Sequence, residues 1–227
     1  MDVQTSQLTQ LLAPEEVEIR DVVTHLGKTR VFWLRQNLKN VKFPLVLIHG
    51  YGAGSGCFFR NAKGIASDRA VLMIDIPGFG ESDRPQFSNE PEDDWVQALT
   101  EVFDAEIDGK FWLVGHSFGS YLSARMCLEE NTRVCGLILL DAWGFPKMEE
   151  TFEEKLASLK LWQRCLYRSY KKLNLTGLEP LRVVPKSIGP AFLKCIRKDL
   201  KATYGEEFLN YLYHINSREP VCRDKIS

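Results

Sequence analysis

The chain carries no excess of charge of either sign. Its 29 Lys and Arg residues stand against 30 Asp and Glu, a formal net charge of −1. That excludes a molecule whose whole surface attracts nucleic acid. No apolar run approaches the roughly 20 residues that a membrane-spanning helix needs. Met1 to Arg20 is polar and then acidic, without the basic start and apolar stretch of a secretory signal. The six cysteines (Cys57, Cys127, Cys135, Cys165, Cys195 and Cys222) form no C-x-x-C pair and have no zinc-type spacing with histidine. They are expected to be reduced, structural thiols, in a cytoplasmic protein without a metal. No G-x-G-x-x-G follows the first buried strand and no Walker loop occurs, which argues against a nucleotide-binding domain; no cofactor is expected. Internal repeats and low-complexity tracts are also lacking.

What the chain does have is alternation. Val17 to Val23 and Thr29 to Leu34 read as antiparallel strands joined by a turn at Leu26-Gly27-Lys28. Four short apolar runs follow: Phe43 to Ile48, Ala70 to Ile76, Phe111 to Val114 and Gly136 to Leu140. Such runs suit strands buried on both faces. Between them lie helical stretches at Cys57 to Ser67, Pro91 to Ile107 and Ser117 to Glu129. Strand–helix alternation predicts a mostly parallel sheet with flanking helices, an α/β fold. After Asp141 the pattern changes. Lys155 to Lys201 holds twelve Lys or Arg against two acids and no strand-like run. Phe152 to Leu173 predicts an amphipathic helix, with Leu159, Trp162, Leu166, Tyr170 and Leu173 on one face and Lys160, Arg164, Arg168 and Lys171 opposite. A proline- and glycine-containing break follows at Thr176 to Pro190. The expected division is a core at 1–146 and a helical cap or lid at 147–227.

Gly115-His116-Ser117-Phe118-Gly119 is a G-x-S-x-G pentapeptide between a strand and a helix. A serine hydroxyl is a weak nucleophile that needs a base, an orienting acid and an oxyanion site. This motif lifts it onto a tight strand-to-helix turn, with small residues either side of the bend. Ser117 is therefore the candidate nucleophile. His49-Gly50-Tyr51-Gly52-Ala53-Gly54, after the earlier strand, is the candidate oxyanion loop, with Tyr51 the first choice of backbone donor and Gly52 the second. Phe118, the residue after the nucleophile, is the other expected donor. His49 reads as a loop brace rather than a base. Asp75, opening Asp75-Ile76-Pro77-Gly78-Phe79-Gly80-Glu81-Ser82, reads as a turn-holding carboxylate.

These three motifs in this order resemble the α/β-hydrolases. Leu137 to Pro146, with its Trp143-Gly144-Phe145-Pro146 run, and Tyr211-Leu212-Tyr213-His214-Ile215-Asn216 are similar to the narrower group of α/β-hydrolase domain-containing proteins 4 and 5. The resemblance runs from about Val31 to the end and implies an α/β-hydrolase fold and a lipid substrate. One branch implies lysophospholipase or N-acyl-phospholipid hydrolase activity. The other implies a non-catalytic lipase-coactivating role at lipid droplets, with lysophosphatidate acyltransferase activity. The inert branch has asparagine at the nucleophile position, so Ser117 points to the hydrolytic one. Peripheral association with lipid droplets, endoplasmic reticulum or mitochondria follows from the same resemblance. Ser120 and Ala142 depart from the family pattern, standing where it has glycine and proline.

The triad is incomplete in the sequence. The fold's chain order is nucleophile, acid, histidine, and the histidine normally follows strands beyond the cap. Asp141 is the candidate acid, with a strand-end turn residue as the alternative. His116 adjoins the nucleophile and is expected to point sideways. His214, in the aromatic-rich stretch Phe208 to His214, reads as packing, and the residue five positions on is Glu219 rather than the family's aspartate. The expectation is a truncated form of a longer hydrolase, lacking the last strands and the catalytic histidine.

Overall fold

The computed structural model describes residues 17–35, 42–129, 132–144, 185 and 187–218. Six strands form one sheet: β1 (Val17–Thr24), β2 (Gly27–Leu34), β3 (Leu45–Ile48), β4 (Val71–Ile74), β5 (Phe111–His116) and β6 (Val134–Leu140). Their spatial order is β1-β2-β4-β3-β5-β6. β1 and β2 form an antiparallel hairpin and β2 runs antiparallel to β4, while β4, β3, β5 and β6 are mutually parallel. Helices α1 (Phe59–Ala66), α2 (Pro91–Glu106), α3 (Phe118–Leu128), α4 (Gly189–Ile196) and α5 (Lys198–Asn216) accompany it.

The strand pleat explains the layering. Alternate residues Val46, Ile48, Leu72, Ile74 and Leu113 face one core with Trp95, Leu99 and Phe103 of α2 and Phe118 and Leu122 of α3. Their neighbours Leu45, Leu47, Val71, Met73 and Val114 face the other, with Ala62 and Ala66 of α1 and Phe208, Tyr211 and Ile215 of α5. A period-two strand covered on both sides must be apolar throughout, and β3 and β4 are buried at every position. α2 opens with Pro91 and the acids Glu92, Asp93 and Asp94, which suit the positive end of the helix.

Several boundaries move for identifiable reasons. The hairpin turn is His25-Leu26, one step earlier than expected, because Gly27 (φ +95°) already pairs with Thr24 and the Thr24 hydroxyl donates to the Gly27 carbonyl at 3.0 Å. β3 starts at Leu45, since Phe43 is exposed and Pro44 has no N–H to offer the ladder. The expected helix from Cys57 begins as a 3₁₀ turn at Ser55–Phe58 before α1. β6 pairs only with β5 among the described residues, the edge position expected of the last strand present. Its burial differs from that of a doubly covered strand, since Ile138, Leu139 and Leu140 are exposed.

The amphipathic helix at Phe152 to Leu173, Phe145 and Pro146, and most of the break at Thr176 to Pro190 lie outside the described residues. Of the segment 147–227 that was expected to form a cap, α5 packs its aromatic face directly on the sheet. It is interrupted at Gly205 (φ +85°). No described helix is long and apolar enough to cross a membrane.

Candidate functional site: a serine elbow against a glycine loop

Ser117 occupies the turn between β5 and α3 with φ +51° and ψ −115°. That is a costly conformation for a residue with a Cβ. Backbone bonds hold it there. The Ser117 N–H donates to Leu140 O at 2.9 Å, and its carbonyl accepts from Ser120, Tyr121 and Trp143. The Ser120 hydroxyl, where the family pattern has glycine, donates to Gly115 O (2.6 Å) and Leu140 O (3.2 Å). It thus ties the end of β5 to the end of β6. α3 can follow at once because Gly119 crosses the end of β3: a Cβ there would overlap the carbonyl oxygens of Ile48 and His49.

The glycine loop lies directly on this elbow. A Cβ on Gly50 would stand 3.0 Å from Ser117 Cβ and 3.1 Å from His116 Nδ1. The Ala53 N–H returns to Gly50 O at 3.2 Å, closing a turn with Tyr51 and Gly52 at its centre, Gly52 at φ +68°. The Phe118 N–H is the first of α3, one of the four that a helix leaves without an intrahelical acceptor. The two expected oxyanion donors, Tyr51 and Phe118, therefore belong to segments packed against one another, and their rings meet edge-on at 6.2 Å.

His49 and Asp75 brace this arrangement. Buried His49 accepts the Ile76 N–H on Nε2 (3.0 Å), so its proton is on Nδ1, which donates to Gly50 O at 2.7 Å. Burial pushes this imidazole below its ordinary pKa, against the opposing pull of Asp75. Both ring nitrogens are used on backbone. The Asp75 carboxylate accepts the Ser55 N–H (2.6 Å) and the Glu81 N–H (2.8 Å), and its carbonyl accepts the Ser82 hydroxyl. Arg84 donates to Phe79 O and Gly80 O, holding the same loop from the other side.

Asp141 follows β6 at φ +47°, exposed, one residue beyond Leu140, whose carbonyl holds the nucleophile's N–H. The candidate acid and nucleophile thus leave adjacent strands at one end of the sheet. Among the described residues no histidine is hydrogen-bonded to Ser117. His25 bonds Glu101, and His49 is spent on backbone. Exposed His116 flanks Gly50. His214 lies on α5 against the Tyr213 ring. No group of His, Cys, Asp and Glu among the described residues is arranged to hold a metal. The four described cysteines are free thiols; burial pushes Cys57, behind the glycine loop, up to about 11.

A contact that sequence reasoning missed joins the loop to α5. The buried Tyr211 hydroxyl accepts the Gly56 N–H at 2.9 Å. In the sequence Tyr211 is only one aromatic among several in a helical stretch, and nothing marks its hydroxyl as a partner of a loop 155 residues away.

The profile of the α/β-hydrolase fold family matches residues 44–208. The chain belongs to that family. Among curated relatives, this α/β hydrolase is 38% identical over 189 residues to an abhydrolase domain-containing protein, abhd-5.2, of Caenorhabditis elegans, covering 82% of this chain and 41% of that one. It is 33% identical to the 1-acylglycerol-3-phosphate O-acyltransferase ABHD5 of Homo sapiens (81% and 54% covered). It is 30% identical to the human (lyso)-N-acylphosphatidylethanolamine lipase (80% and 54% covered). These are the groups to which the tryptophan run and the Tyr211 stretch pointed. The chain spans about half the length of the curated relatives it matches. A Bacillus subtilis carboxylesterase, CesB, shares the fold at TM-score 0.66 and 20% identity, with 99% of this chain and 68% of that one covered.

Proposed function

We propose that this chain carries the nucleophile and oxyanion half of a serine hydrolase acting on lysophospholipid or N-acyl-phospholipid esters. The observation that carries the reading is the strained Ser117 elbow packed on the Gly50 loop. A serine held at positive φ at a helix start, with the Gly50 loop packed against it, suits attack on an acyl carbonyl. Ser117 Oγ would attack the carbonyl carbon, its proton passing to a base. The carbonyl oxygen would take negative charge against the Tyr51 and Phe118 N–H groups. Collapse would expel the alcohol, which takes the proton, and water would then cleave the acyl-enzyme.

The surroundings favour an apolar acyl group. Phe118 is ringed by Tyr51, Trp95, Tyr121 and Trp143, and the outermost, Tyr51 and Trp143, are exposed. The lipase among the relatives, named for an acylated phosphatidylethanolamine, supports the same substrate class. Asp141 is the proposed acid. Loss of a triad member leaves only a residue of catalysis, typically several orders of magnitude below the intact site. Slow acylation of Ser117 is therefore expected, because none of the four histidines, all of them among the described residues, is hydrogen-bonded to it.

That no histidine among the described residues bonds Ser117 favours a second reading, a non-catalytic regulator of lipases or an acyltransferase-like protein at lipid-droplet, endoplasmic-reticulum or mitochondrial surfaces. The relatives named as acyltransferases support it. Both readings place the protein in the cytoplasm with a lipid partner, no nucleic acid and no cofactor. Labelling with an alkyl fluorophosphonate tests the first. Modification of the wild-type chain and none of Ser117→Ala is expected. Equal labelling of both, or of neither, would leave the second reading standing.

A further inference from the structure

We infer that Tyr211, on the last described helix, is a positioning residue that clamps the oxyanion loop from behind, so that α5 forms part of the site's working framework. The inference rests on the serine-hydrolase reading for its catalytic meaning, though the clamp itself is a matter of geometry.

The loop from His49 to Gly56 is held at two ends. At its start, His49 bonds Gly50 O and Ile76 N. At its far end two consecutive backbone N–H groups are taken by side chains from distant segments: Ser55 N–H by Asp75 Oδ1 at 2.6 Å, and Gly56 N–H by Tyr211 Oη at 2.9 Å. Between these anchors lie Tyr51 and Gly52, the candidate donors. The clamp is also steric. The Tyr211 hydroxyl fills the space beside Gly54, where a Cβ would collide with it. The ring cannot retreat, because it is buried in the sheet's second core and stacked on Phe208, which packs on Phe59 at the start of α1. Removing the hydroxyl would leave the buried Gly56 N–H without its acceptor, and that N–H would seek another by moving the loop. Burial and the neighbouring Asp75 raise the phenol's pKa well above its usual value, so the group stays a neutral hydroxyl.

The same ring without its oxygen separates positioning from packing. Hydrogen exchange is measured by mass spectrometry on the full 227-residue chain as wild type, Tyr211→Phe and Tyr204→Phe. Tyr204 shares the helix and its ring touches Phe59 and Phe208, which makes Tyr204→Phe the control. Tyr211→Phe should speed exchange in peptides covering 49–58 by about tenfold, the factor that corresponds to about 1.4 kcal/mol. Peptides of β4, β5 and α2 should be unchanged, and Tyr204→Phe should leave all of these peptides, 49–58 included, as in wild type. Fluorophosphonate labelling of Ser117 should slow by about fivefold in Tyr211→Phe at a temperature where both chains are folded. A second pair reads the contact directly. Gly54→Ala should abolish labelling, and adding Tyr211→Phe, which removes the obstructing oxygen, should restore part of it. Unchanged exchange at 49–58, or faster exchange spread over the whole sheet, would overturn the inference. If wild type labels no more than Ser117→Ala, the hydrolase reading falls and the exchange measurement still decides the clamp.

Discussion

Gly50 and Ser117 are packed so closely that a Cβ on the glycine would stand 3.0 Å from the Cβ of the serine. The close approach joins two residues 67 positions apart in the sequence, and it makes glycine at position 50 a geometric requirement of the site. Gly50→Ala is tight without overlapping, its nearest atoms standing at 3.0–3.4 Å, so Ser117 and His116 must shift by only a few tenths of an ångström. It should leave the unfolding free energy within about 1 kcal/mol of wild type. Fluorophosphonate labelling of Ser117 should fall by about tenfold or more, because a sub-ångström displacement of a reacting group is costly. Gly119→Ala meets backbone carbonyls that cannot move aside, and should lose about 1–3 kcal/mol of stability in urea titration. Equal effects of the two on stability would contradict this division.

Strain at the elbow gives a prediction of opposite sign. Ser117 is held at φ +51°, where a glycine would pay no Cβ penalty. Ser117→Gly should therefore raise the unfolding free energy by about 1 kcal/mol while abolishing labelling. Ser117→Ala should abolish labelling without that gain. Calorimetry of the two variants beside wild type decides it: identical midpoints for Ser117→Gly and Ser117→Ala would show that the turn is not strained.

The parts of the site that were legible in the sequence are those where one residue type is forced by backbone geometry. The elbow glycines, the glycine loop and the bracing role of Asp75 could all be read, because turns and close approaches admit few side chains. The doubly buried strands β3 and β4 were legible for a similar reason: a strand covered on both faces has no polar positions. Tyr211 and the Ser120 hydroxyl were not, because the value of a hydroxyl depends on which carbonyl or N–H the tertiary fold brings to it. The hairpin turn was misplaced by one residue because Gly27 looks like a turn residue and is in fact the first rung of β2.

Buried His49 makes stability depend on pH. Its folded-state pKa lies below the ordinary value near 6.5 because burial opposes the charged form. Below about pH 6.5 the unfolded chain binds a proton that the folded chain refuses, so stability should fall as pH falls. The slope should approach about 1.4 kcal/mol per pH unit until the folded-state pKa is reached. Protonation at Nε2 would also displace the Ile76 donor and release the start of the oxyanion loop. His49→Asn should be less stable at neutral pH yet show a shallower slope between pH 6.5 and 5. Parallel curves for wild type and variant would assign the proton uptake elsewhere.

Among the described residues, the two edges of the sheet differ in a way that predicts solution behaviour. β1 carries Glu18, Arg20 and Asp21, and its ion pairs include Arg30 to Asp21 at 2.6 Å, the kind of charged border that discourages another strand from docking. β6 has the sequence Val-Cys-Gly-Leu-Ile-Leu-Leu, with no charge and no proline, and its last three residues are exposed. An uncharged apolar edge of seven residues is a template for pairing with another chain. The 227-residue chain should therefore self-associate as its concentration rises. Ile138→Lys places a charge on that edge where the wild-type side chain is already 40% exposed, so little packing is lost. It should shift the chain toward monomer in light scattering while moving the unfolding free energy by less than about 1 kcal/mol. Lys at Val23, exposed on the β1 side of the sheet, should leave the association unchanged. If Ile138→Lys and Val23→Lys associate to the same extent as wild type, β6 is not the surface through which the copies meet.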